Sequence, residues 1–214
     1  MSKLPVTLAC WDYDRTRALA DGRVSPEGVD LTYLPIGMPE SFFRMLHHGE
    51  FEASEMSLSW YTRSLFRRPR PFIAIPVFPS RMFRHSSIYV NSESGIAEPG
   101  DLAGKRVGCP EYQMTAAVWI KGILAEHHGV PVESVRYFTG GLREAGRRET
   151  ELRLPPGISV EWIGERRTLA EMLESGEIDA LYTAEMPEPF ERRSPRVRRL
   201  FGDYVSAERE YFRK

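Results

Sequence analysis

Cys10-Trp11-Asp12-Tyr13-Asp14-Arg15-Thr16 and Cys109-Pro110-Glu111-Tyr112-Gln113-Met114-Thr115 are two versions of one pattern. Each follows an apolar run of strand character, carries an acid and then a tyrosine, and leads into a segment with helical spacing. Two matching strand-to-helix turns are what a two-lobed receptor places across a cleft. The first amides of a helix point unpaired N–H groups at whatever lies there, so both turns are candidate anion contacts. Asp12 and Glu111 are therefore expected on opposite cleft walls, with Tyr13 and Tyr112 nearby. The same acids can instead cap their helices or face water.

Working outward, short apolar segments alternate with helical patterns, which favours an α/β sheet. Residues 5–10 and 29–34 read as strands, and the apolar positions 42, 43, 45 and 46 predict a helix that Gly49 ends. Phe51–Met56 is a further strand candidate, Ser57–Phe66 a helix, and Phe72–Val77 a strand restarting after Pro69 and Pro71. Ser87–Val90 reads as a crossing strand into a second lobe, which holds strands at 105–109, Ser134–Phe138 and Ile178–Thr183 and a helix at 114–125. The polar stretch 142–157 reads as loop. Thr168-Leu169-Ala170-Glu171 is a capping box, with Gly176 as the helix end. The expected domains are a first α/β lobe at 1–86, a second at 87–200, and the start of a helical return toward lobe one at 201–214.

The 214 residues carry 29 Lys plus Arg against 30 Asp plus Glu, a formal charge of -1. No global field recruits nucleic acid or an anionic bilayer, and neither is expected as a partner. The arginines at 147, 148, 192, 193, 196, 198 and 199 read as solvated faces. No apolar stretch approaches the roughly 20 residues needed to span a bilayer. Met1-Ser2-Lys3 leads directly into a strand without a signal-peptide pattern, so the expected compartment is the cytoplasm. The two cysteines, Cys10 and Cys109, read as buried small residues, and the pairs His47-His48 and His127-His128 lack a metal-ligand constellation. No metal and no cofactor is expected.

Beyond these patterns, the extended strings Cys10–Arg17, Glu55–Ser59, Phe78–Asn91, Gly108–Ile123 and Thr139–Glu144 resemble the 4,5-dihydroxyphthalate decarboxylase family. That family lies within the periplasmic-binding-protein-like type 2 fold. The resemblance implies two lobes around a ligand cleft, and removal of a carboxylate from an electron-rich aromatic dicarboxylate. It also implies a longer chain that returns to complete lobe one, so the C-terminal return is expected to be incomplete here. A homo-oligomer or swapped assembly covering lobe one is left open.

With the resemblance in view, His85 is the candidate acid or proton shuttle, and Asp12 or Glu111 the group activating a substrate hydroxyl. Arg15, Arg17, Arg81 and Arg84 are candidate carboxylate clamps, because a planar guanidinium donates in pairs. Tyr13 and Tyr112 can stack on an aromatic ring. Ser54, Glu55, Ser57, Gln113, Thr115 and Glu185 offer polar contacts, and Thr139-Gly140-Gly141 can bring amides close to an anion. The expected ligand is a small anionic aromatic molecule. The competing expectation is a non-enzymatic binding protein or sensor for an aromatic or small carboxylate.

Overall fold

The computed structural model describes residues 2–149 and 152–214, which divide into two units, Met1–Arg81 and Met82–Lys214. The first unit is a parallel three-stranded sheet of order β2-β1-β3, from β1 Leu4–Ala9, β2 Val29–Leu34 and β3 Ala53–Ser54. The β1 strand pairs along its whole length with β2, from Leu4 opposite Val29 to Ala9 opposite Leu34, but meets β3 only at Leu8 and Ala9. Helices α1 (Arg17–Ala20), α2 (Met38–His48) and α3 (Leu58–Ser64) complete it. Gly49 ends α2 in the left-handed conformation expected of a glycine stop (φ 58°).

The second unit holds six strands in the order β7-β6-β5-β8-β4-β9. They are β4 Ile88–Asn91, β5 Arg106–Cys109, β6 Arg136–Thr139, β7 Ser159–Trp162, β8 Ala180–Tyr182 and β9 Val197–Arg199. Strands β5 to β8 run parallel, while β4 lies antiparallel to both β8 and β9. Side-chain alternation sends Val90, Val107, Cys109, Tyr137, Ala180 and Tyr182 into one core, against α4 (Thr115–His128). Tyr89, Leu181 and Phe138 go to the other, against α5 (Leu169–Ser175). The central parallel strands β5 and β8 are buried at Val107 to Cys109 and Ala180 to Tyr182, while β7 at the edge alternates between exposed and half-buried residues. Gly108 is required here, because a Cβ would strike the Ile178 and Leu169 methyls. Helices α6 (Glu188–Glu191) and α7 (Tyr204–Tyr211) also belong to this unit.

The capping box forms as expected: Thr168 Oγ1 accepts the Glu171 N–H at 3.2 Å and Glu171 Oε2 accepts the Thr168 N–H at 3.2 Å. Other expectations change. Phe72–Val77 forms no strand; the Val77 N–H turns back to the Ile75 carbonyl at 2.7 Å, and Ile73 is 94% exposed. A strand needs a partner, and the described residues bring none to it. The strands β7 and β9, absent from the sequence reading, form because sheet neighbours supply their hydrogen bonds. The expected loop 142–157 has no regular element where described; residues 150 and 151 lie outside the described residues. No helix among the described residues is long and apolar enough to cross a membrane.

Candidate functional site

In an open parallel sheet, ligands bind beyond the carboxyl ends of the strands, where successive connections leave in opposite directions. Each unit has such a point. In the first unit it lies beside β1, whose neighbours are β2 and β3. In the second it lies beside β5, flanked by β6 and β8. The two mirrored motifs begin at these ends, Cys10 directly after β1 and Pro110 directly after β5.

At the first edge the centre is Glu55, just past β3. Its Oε1 accepts the Tyr13 hydroxyl at 2.7 Å, and its Oε2 accepts the Trp11 N–H at 3.4 Å and the Cys10 thiol at 3.7 Å. Burial and the adjacent Glu55 carboxylate push the Tyr13 hydroxyl well above the usual phenol range, so it stays a proton donor. The Arg15 guanidinium lies 4.1 Å from the centre of the Tyr13 ring, donates through Nε to the Pro79 carbonyl, and pairs with Asp14 at 3.0 Å. Arg17 pairs with Asp12 at 3.5 Å, both side chains more than half exposed. Ser54 Oγ donates to the Glu55 carbonyl at 2.8 Å and Ser57 shares a 3.1 Å hydroxyl contact with Ser59. Arg81 is exposed at the end of the unit.

At the second edge, Glu111, Tyr112, Gln113 and Thr115 follow β5, Thr139 to Gly141 end β6, and Glu185 follows β8. Glu111 is held by Arg147 at 2.5 Å. The Tyr112 ring turns toward Tyr137, 5.0 Å between centroids, and burial raises its hydroxyl to about 12. Thr139 is buried, and Gly140 and Gly141 serve close packing, since a Cβ on them would meet Ile163 and the Glu144 carbonyl respectively. Glu185 is exposed. Burial lifts both thiols, Cys109 to about 12, which leaves neither as a ready nucleophile.

His85, the expected proton-transfer group, is enclosed. It is 2% exposed and lies in a short 3-10 turn against the rings of Phe201, Tyr211 and His128, 5.0, 5.5 and 6.5 Å between centroids. Its backbone N–H donates to Glu208 Oε1 at 2.8 Å; its Nδ1 stands 3.1 Å from Oε2, off the hydrogen-bond direction. The enclosed imidazole packs against Tyr211 of α7. Arg84, one residue earlier, has its Nε and Nη1 buried without a hydrogen-bond partner among the described residues, and burial lowers its pKa against the pull of Glu208. Sequence reading passed over Lys121 and Glu149, which contact the Tyr112 backbone; the one available signal was a lysine on the apolar face of the α4 pattern.

No group of three His, Cys, Asp or Glu side chains among the described residues is placed to hold a metal. No family model matches the chain. The periplasmic aliphatic sulphonate binding protein of Escherichia coli is similar in structure, with a TM-score of 0.55 at 10% identity over 93% of this chain and 60% of its own. The fold is thus the two-lobed periplasmic-binding-protein-like type 2 fold expected from the sequence. The cytoplasmic expectation is overturned by the same finding, since the structural relative is a periplasmic protein. A 4,5-dihydroxyphthalate decarboxylase of Comamonas testosteroni is 41% identical over the whole chain, which spans 65% of that relative's length. A namesake from Pseudomonas putida is 42% identical, again over the whole chain and over 83% of the relative. Identity at this level over the whole chain, on the fold that the mirrored turns imply, places the chain in the 4,5-dihydroxyphthalate decarboxylase family.

Proposed function

We propose that this chain removes a carboxylate, without a cofactor, from an electron-rich aromatic dicarboxylate of the 4,5-dihydroxyphthalate type. The observation that carries the reading is the 42% identity to a decarboxylase across the full chain. The substrate makes the chemistry accessible. A base takes the proton of the ring hydroxyl para to the departing carboxylate, which raises electron density at the ipso carbon. An acid then protonates that carbon, the bond to the carboxylate breaks, and its electron pair restores the ring as carbon dioxide leaves.

The Tyr13–Glu55 pair is our candidate for the proton transfers: the Glu55 carboxylate takes the ring-hydroxyl proton, Tyr13 donates its own proton to carbon, and Glu55, 2.7 Å away, passes the proton it took to the Tyr13 oxygen. Arg84 is our candidate clamp for the retained carboxylate. Two enclosed guanidinium nitrogens without partners support this, since a carboxylate would satisfy both. Asp12, Glu111, Gln113, Thr115 and Glu185 remain candidate contacts of their own edges. A binding-only role is the second reading, favoured by the structural relative being a binding protein.

The deciding experiment follows carbon dioxide and the dihydroxybenzoate product in a single turnover of purified protein. Tyr13→Phe and Glu55→Gln are expected to slow product formation by about 100-fold or more with substrate still bound. Arg84→Lys is expected to weaken capture by about tenfold, because the ammonium lacks the paired donor geometry. Tight binding by the unmodified protein with no carbon dioxide would establish the binding-only reading.

A further inference from the structure

Lys121, on the second turn of α4, is 7% exposed, and among the described residues no carboxylate forms an ion pair with it. Lysine is almost never enclosed in this way without a task. Its Nζ donates to the Tyr112 carbonyl at 2.7 Å and stands 3.0 Å from the centre of the Tyr112 ring, with the Tyr137 ring at 5.5 Å. From the other side, Glu149 accepts the Tyr112 N–H at 2.7 Å and the Gln113 N–H at 3.1 Å. One short stretch of backbone is therefore gripped by a buried cation and a half-buried carboxylate that form no ion pair with each other. Neutral packing would hold an ordinary turn at lower desolvation cost. What the two charges hold is the turn carrying Glu111 and Gln113 at the carboxyl edge of β5.

We propose that Lys121 and Glu149 are positioning residues for substrate binding, which set the Tyr112 peptide so that Glu111 and Gln113 meet the ligand in one fixed geometry. The proposal rests on the reading that this edge binds the aromatic dicarboxylate. Lys121 acts through the Tyr112 carbonyl and ring, and Glu149 through two amides; neither touches the substrate. The groups facing Lys121 are Cys109 from β5, Tyr137 from β6, Tyr112 from the turn, and the carboxylate of Glu149. Burial brings its ammonium down to about 8, and lifts the Glu149 carboxyl above the usual range, with Glu111 adding to the rise and the two amides opposing it. Losing the Lys121 proton removes the cation from the Tyr112 ring and loosens the grip.

The test measures kcat and KM for 4,5-dihydroxyphthalate against pH, together with amide exchange at Tyr112 and Gln113, in Lys121→Met, Lys121→Arg and Glu149→Gln. In Glu149→Gln both amides are expected to exchange about tenfold faster, with KM up about tenfold and kcat within about twofold. In the unmodified protein KM is expected to climb as the pH passes about 8. Lys121→Met should show the raised KM at every pH with no step, and Lys121→Arg, which keeps its charge, should hold a low KM through the same range. Unchanged exchange in Lys121→Met and Glu149→Gln overturns the proposal, as does faster exchange with KM unaltered. Unmodified protein that releases no carbon dioxide overturns the proposed activity alone; the grip on Tyr112 is then decided by the exchange result.

Discussion

The turns after β1 and after β5 share composition and position, yet they are held in different ways. The first leads into a single helical turn, α1, with no buried residue, and its Glu55 accepts from Tyr13, Trp11 and Cys10 near the surface. The second leads into the 14-residue α4 with six buried residues, and its acid Glu149 works with a buried lysine. In both, a glutamate from a neighbouring strand end or loop takes backbone N–H groups of the motif. The contrast extends to the cores. Among described residues of the first unit only Ala9, Cys10, Leu46 and Phe51 are buried apolar side chains, while Phe66, Ile73, Ile75, Val77 and Phe78 stand exposed. The turn over the thin core leaves Tyr13 and Glu55 half-buried, while the turn set into the thick core is held by a buried lysine.

Breaking the first turn is expected to cost activity most: Glu55→Gln removes the proton relay and lowers single-turnover product formation by about 100-fold or more while unfolding shifts little. Breaking the thick core costs stability instead. Gly108→Ala places a methyl against Ile178 and Leu169 and is expected to destabilise by about 1 to 3 kcal/mol, read from the urea midpoint. His85→Gln should act in the same way, losing about 1 kcal/mol or more as α7 loosens from Glu208, with chemistry per folded molecule unchanged. Selective loss of single-turnover rate in that variant would return His85 to the chemistry. Lys121 sharpens the comparison through pH. Between about 8 and its ordinary 10.5 the unfolded chain holds a proton that the folded chain lacks, so stability rises with pH across that window. Lys121→Met should lose that rise. The smallest effect belongs to the exposed pair at the first turn, where Asp12→Asn should change stability by less than about 0.5 kcal/mol.

Much of this organisation is readable in the chain. The capping box at Thr168 and the glycine stops at Gly49 and Gly176 depend on neighbours a few residues away, so the local sequence carries them. The arginine clusters resolve into separate partners, with Arg196 on Glu93, Arg192 on Glu174 and the half-buried Arg198 on the Ile96 carbonyl. The strand-like Phe72–Val77 misled for a definite reason: alternation predicts which face would be buried and says nothing of whether a partner is present.

The sequence by itself determined the α/β alternation, the two mirrored turns and the family, because periodicity, caps and extended strings of residues are properties of the chain. Only the tertiary structure decided which acid grips which turn. It set Glu149 on the amides of Tyr112 and Gln113, Lys121 on the Tyr112 carbonyl, and Glu55 on Tyr13, through contacts between residues far apart in sequence. It also enclosed His85 together with two nitrogens of the adjacent Arg84 that have no hydrogen-bond partner among the described residues. Burial and hydrogen-bond partnership belong to the packed molecule, and they assign the chemistry that residue types only make available.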